Sequence, residues 1–182
     1  MAKLRCTLLL ALLPATAMAA PVFTLESPDF ADNGVLAAKF AGNAKQNPGC
    51  TGENISPALR WSHAPAGTKS FALLIVDPVG GKGLGVTHMV AYNISAEKTA
   101  YAQGELSESK NYTGGKNTPG TDSYFGPCPP AGSGLHHYNF VLIATDLAPT
   151  ALAPGLSHAE LLDKLKGHNL GAASTVARYG NE

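Results

Sequence analysis

The run Phe71–Val76, FALLIV, is apolar at every position and is stopped by Asp77-Pro78. It is too short for an ordinary helix and fits a central strand covered on both faces. Val86–Ile94, VTHMVAYNI, and Tyr138–Ala144, YNFVLIA, have the same β-branched and aromatic character. Strands of this kind require layers on both sides of their sheet. Shorter strands are expected at Thr24–Leu25, Leu59–Trp61 and Ser174–Tyr179, with Gly/Pro/Asn clusters between them. One helix is expected, about His158–Lys166. Ser157 and Glu160 form a capping box there, Leu156 can staple onto Leu161, and Gly167 stands at the C-terminal cap. The expected fold class is mainly β: an antiparallel two-sheet β-sandwich with a short C-terminal helix.

The N-terminus fixes the destination. Residues 1–19 hold a basic start, Lys3 and Arg5, an apolar run from Cys6 to Leu13, and Ala17-x-Ala19 as a cleavage site. That pattern is a secretory signal peptide, too short to span a bilayer. Residues 20–182 then form a single domain without a transmembrane segment, periplasmic or secreted. Loss of Lys3 and Arg5 from a chain of 13 basic and 13 acidic side chains leaves a net charge of about −2, with no basic run for nucleic acid. The mature chain keeps Cys50 and Cys128, an even pair in an oxidising compartment, so a Cys50–Cys128 disulfide is expected. No C-x-x-C occurs, so neither a thioredoxin-type redox site nor a zinc ribbon is supported.

The chemistry gathers at the strand ends. The segment Gly126–Gly134, GPCPPAGSG, has three prolines that fix φ and three glycines that free it, a loop stiff enough to hold carbonyls and a histidine in one arrangement. His136 and His137 follow it. Alternation puts His136, Tyr138 and Phe140 on one face and His137 with Asn139 on the other, so the two imidazoles serve different surfaces. The same alternation puts Val86, His88, Val90, Tyr92 and Ile94 on one face. Asp77, His88, His136 and Tyr138 each lie near the end of a central strand beside a glycine-rich loop. Meeting there, they would make a small polar pocket in an apolar frame, with several hydrogen-bond donors for an anion such as phosphate, and Asp77 would raise the pKa of a neighbouring imidazole and hold its tautomer. Taken singly, Asp77 also fits a turn cap, and His88 a hydrogen-bonded core histidine.

NISPALRWSHAPAGTKSFALLIVDP, a histidine eleven residues after Asp77, GPCPPAGSGLHHYNF and LLDKLKGHNLGAASTVARYG occur in that order. Together they resemble the phosphatidylethanolamine-binding protein family, also known as the Raf kinase inhibitor protein family, in its exported bacterial branch. The resemblance implies a two-sheet β-sandwich whose pocket binds phosphate-like anions, including the phosphorylethanolamine head group, without catalysis, cofactor or metal. The pocket residues it implies are Asp77, His88, the Gly126–Pro130 loop with Gly126, Pro127 and Pro130, and His136 with Tyr138. His137 replaces a frequent arginine.

The chain departs from the family pattern in one segment. Where D-P-D-x-P is usual, Asp77-Pro78 is followed by Val79, Gly80 and Gly81, and Thr87 and Met89 flank His88 in place of aromatic residues. Fewer carboxylates favour anions in general over an amine-bearing head group. Other classes fit less well. Ser133 lacks the strand-to-helix elbow of a hydrolase nucleophile. Asp77, His88 and His136 are acceptable zinc ligands without a zinc spacing. GGKGLG, residues 80–85, fits no nucleotide-binding loop and precedes a strand. A module that binds or inhibits an unidentified protein target, with the pocket as regulatory site, is the alternative.

Overall fold

A computed structural model describes residues 21–181 of the protein; the expected signal segment lies outside them. The strands are Thr24–Glu26 (β1), Gly34–Val35 (β2), Leu59–Ser62 (β3), Ser70–Asp77 (β4), Val86–Ser95 (β5), Ala100–Tyr101 (β6), Thr113–Gly114 (β7), His136–Thr145 (β8) and Asn169–Tyr179 (β9). They form a three-stranded sheet, β1-β3-β6, and a six-stranded sheet, β2-β9-β8-β4-β5-β7. The expected antiparallel sandwich is present, with one exception: the short edge strand β2 runs parallel to β9.

The uniformly apolar sequence of β4 is explained by what covers it. Phe71, Leu73 and Ile75 face the main core with Trp61, Met89, Tyr101, Tyr138 and Phe140. Ala72 and Leu74 face the opposite way and pack with Val90, Tyr92, Leu161 and Leu165. The last two belong to the helix His158–Leu165, which covers the outer face of the large sheet. Its start is as expected: Ser157 Oγ accepts from Glu160 N while Glu160 Oε2 accepts from Ser157 N, and Leu156 packs against the cluster that holds Leu161.

Two expectations needed correction. β9 begins at Asn169, five residues before its expected start, because its first half pairs in register with β8 (Ala173↔Leu142, Gly171↔Ala144). Asn-Leu-Gly-Ala-Ala carries little strand propensity of its own, and the neighbour decides. The simple alternation along β5 also fails. Ile75 pairs with Met89 and Val76 with Thr87, so His88 is the extra residue of a bulge, and a second irregularity lies opposite Ala72. Each bulge reverses the faces. Val90 and Tyr92 therefore lie under the helix, while Ile94 and His88 are on the main core side, with His88 against Tyr138.

Cys50 and Cys128 are joined as expected, across a sequence separation of 78 residues. The bond ties the loop before β3 to the loop before β8. Closing a loop of that length is worth about 4 to 5 kcal/mol in the chain-entropy account. The double variant Cys50→Ala/Cys128→Ala is expected to lose about that much unfolding free energy in urea denaturation. A loss under about 1 kcal/mol would show that the crosslink restrains the unfolded chain far less than its loop length implies.

Candidate functional site

The site follows from the order of the central strands. β4 is antiparallel to both β5 and β8, so its C-terminal end lies beside the N-terminal ends of the other two. Asp77 pairs with Val86 across one ladder, and Val76 with Asn139 across the other. This brings Asp77, His88, His136 and Tyr138 to one end of the sheet, where they line a cavity of about 580 Å³. The loops that return the chain, Pro78–Gly85 and Gly126–Leu135, supply its rim.

Asp77 organises the floor. Its Oδ1 accepts from the backbone N–H of Val79 and of Gly80, both at 3.0 Å, and its Oδ2 accepts from His136 Nδ1 at 2.6 Å. The carboxylate is both a turn cap and the anchor of the histidine. Gly80 is required for this closeness, since a Cβ there would meet Asp77 Oδ2 at 2.8 Å and Val86 Cγ2 at 2.7 Å. His88 is held separately: its Nδ1 donates to the Phe125 carbonyl at 2.7 Å, and Phe125 N donates back to the His88 carbonyl at 3.1 Å. Each imidazole thus uses Nδ1 on the protein. Among the described residues neither Nε2 has a partner, and the one sealed side-chain polar atom without one is Trp61 Nε1 elsewhere. Both Nε2 atoms, like the Tyr138 hydroxyl, are therefore left unpaired but accessible.

Burial decides the protonation of two of these groups. It pushes His88 below its usual value of 6.5, outweighing the upward pull of the Phe125 carbonyl and of the Asp77 charge. Asp77 does pull the neighbouring His88 upward as expected, but burial outweighs it and the net shift is downward. Neutral His88 carries its proton on Nδ1, so its Nε2 is an acceptor. Burial, and then the Asp77 charge, drive the Tyr138 phenol far above its ordinary range, leaving the hydroxyl a proton donor.

Five of the seven ligand residues expected from the sequence line the cavity: Asp77, His88, Pro130, His136 and Tyr138. Gly126 and Pro127 stand behind the wall. A Cβ at Gly126 would meet the Phe40 carbonyl at 2.3 Å, its N–H donates to Asn54 Oδ1, and the Pro127 carbonyl accepts from Gly42 N. Their part is to clamp the loop. His137 is exposed on the opposite face of β8, as alternation requires. Among the cavity residues not expected at the ligand are Ala44, Gln46, Asn47, Pro119, Phe125 and Lys82. Lys82 lies in the GGKGLG segment, whose backbone is left-handed at Gly81 (φ 58°), Lys82 (φ 60°) and Gly83 (φ 90°). A lysine between glycines directly after Asp77 was the signal available. Among the described residues no three His, Cys, Asp or Glu side chains form a metal-holding group.

The hydrogen bonds fix an unusual tautomer. Nitrogen-15 correlation spectra are expected to show both His88 and His136 with Nδ1 protonated, and His88 titrating below 6.5. An Nε2–H tautomer at His88 would contradict the Phe125 bond.

Comparison with known proteins agrees with this architecture. The family described as phosphatidylethanolamine-binding protein matches residues 26–180. A UPF0098 protein of Methanothermobacter thermautotrophicus is 35% identical over 158 residues, covering 85% of this chain and 97% of its own. LppC of Mycobacterium tuberculosis, named as a candidate lipoprotein, is 34% identical over 166 residues, 90% of this chain and 75% of that protein. The crystal structure of Escherichia coli YbcL, described as a member of the mammalian PEBP family, superposes with a TM-score of 0.78 at 28% identity, covering 88% of this chain and 99% of that one. The chain belongs to the phosphatidylethanolamine-binding protein family.

Proposed function

We propose that this protein is an exported, non-catalytic binder of phosphate-like anions, including the phosphate of a phosphorylated head group. The observation that carries the proposal is the meeting in one cavity of His136, His88 and Tyr138, whose Nε2 atoms and hydroxyl have no protein partner among the described residues, with Lys82 on the same lining. Lys82 attracts the anion, and Tyr138 donates to an oxygen. His136, oriented through Nδ1 by Asp77, presents Nε2 to the anion. Neutral His88 accepts from a protonated phosphate oxygen, or donates once it gains that proton. The Asp77–His136 pair is also what a general base requires; against a serine nucleophile, the Ser133 hydroxyl donates to the Pro130 carbonyl at 2.7 Å, within its own turn. The leader-like pattern of residues 1–19 supports export to the periplasm or medium, and the disulfide suits an oxidising compartment.

Isothermal titration with phosphorylethanolamine tests the assignment. His136→Ala is expected to weaken binding by about 1 to 3 kcal/mol, as for a buried group that bonds a charged ligand, and Asp77→Ala by less. Equal affinity in wild type and both variants would sink the mechanism.

Proton linkage gives a second test. A phosphate monoester loses its second proton near a pKa of about 6, and His88 loses its own below 6.5. Whichever atom holds the proton between them, the complex takes up a proton at about pH 8 that the free partners lack. Affinity should therefore fall as pH rises from about 6 to about 8, with proton uptake detected in buffers of different ionisation enthalpy. A flat profile would place the phosphate away from His88.

A further inference from the structure

The cavity holds more than an oxyanion. At about 580 Å³ it is in the size range of sites for whole small molecules, so its remaining walls select what the phosphate is attached to. Those walls are mostly apolar, with Val79, Val86, Pro119, Phe125 and Pro129, and their remaining polar side chains, Gln46, Asn47 and Ser133, are uncharged. Only two charged side chains lie on them, Asp77 and Lys82. Asp77 is 3% exposed, and its two oxygens already accept three hydrogen bonds, from Val79, Gly80 and His136. No carboxylate is free to receive an ammonium. Lys82, by contrast, has no ion pair among the described residues. The aromatic rings on the cavity are Phe125 and Tyr138, and both are engaged by His88: Phe125 is stacked on it at 6.2 Å between centroids and 29° from parallel, and Tyr138 meets it edge-on at 5.1 Å. The turn that presents Lys82 ends in Leu84, a large apolar side chain 92% exposed.

We infer that the pocket selects phosphomonoesters whose organic part is uncharged and apolar, and that Lys82 is the residue that discriminates against an amine-bearing head group. The inference rests on the anion-binding reading of the same pocket. An ammonium carried into this cavity would lose its water without gaining a counter-charge, and would sit in the field of Lys82. An aryl or alkyl group would instead bury apolar surface against Phe125, Val79 and Val86. The lysine gives the phosphate its charge partner and, by the same charge, sets the preference for the rest of the ligand.

Calorimetric titration of the mature, oxidised protein with inorganic phosphate, phenyl phosphate and phosphorylethanolamine separates the possibilities. Phenyl phosphate is expected to bind on the order of tenfold more tightly than phosphorylethanolamine, with inorganic phosphate between them. In Lys82→Glu, which places a carboxylate on the wall, that ratio should collapse or invert. Binding of phosphorylethanolamine as tight as, or tighter than, phenyl phosphate in the wild type would overturn the inference and leave the anion pocket standing. An unchanged ratio in Lys82→Glu would overturn the role of Lys82. No binding of any of the three would remove the anion pocket itself, and this inference with it.

Discussion

The carboxylate of Asp77 is shared between two tasks that would ordinarily need two residues. One oxygen caps the turn that leaves β4 by accepting from Val79 and Gly80; the other holds His136 across the ladder on β8. The turn and the histidine are thereby fixed relative to each other by a single buried group. Because β4 is the strand between β5 and β8, the same residue also stands where the chain returns toward His88. A buried carboxylate is tolerated only when its oxygens are satisfied, and here that satisfaction is what shapes the pocket floor. Glycine at position 80 is the condition for it, since a side chain there would collide with the carboxylate it caps.

Around this centre, the rest of the sandwich acts as support. β4 can carry apolar residues on both faces because the main core lies on one side and the helix His158–Leu165 on the other. The rim loop is clamped from outside by the disulfide, by Asn54 on Gly126, and by Asn181, whose amide donates to both Gly49 and Pro129. Rigid elements of this kind allow a few polar atoms to be held without partners of their own, which is the state a binding site needs before its ligand arrives.

Much of this was legible in the sequence, for identifiable reasons. The central strands were visible as runs of apolar residues, the helix through its Ser157–Glu160 cap, and the separation of His136 from His137 through strict alternation on a regular strand. Where regularity broke, so did the reading. The bulge at His88 has no residue-type signature in VTHMV, and it is set by how β5 fits against β4. The early start of β9 was hidden because small residues take their conformation from β8. Gly126 and Pro127 were placed at the ligand by a motif that marks the whole loop, whereas the chain uses them to lock that loop to Asn54 and Gly42. Lys82 carries no motif that marks it as a pocket residue, and the left-handed turn that brings it to the cavity appears only in three dimensions.

His88 and His136 report on the cavity and His137 on the opposite face of β8, which makes the central claim directly measurable. A histidine-resolved NMR titration of the oxidised protein with inorganic phosphate would follow His88, His136 and His137 at once. The account requires His88 and His136 to shift together along one binding curve while His137, on the far face of β8, stays still. If neither pocket histidine moves, or if His137 moves with them, the cavity built on Asp77 is not an anion site.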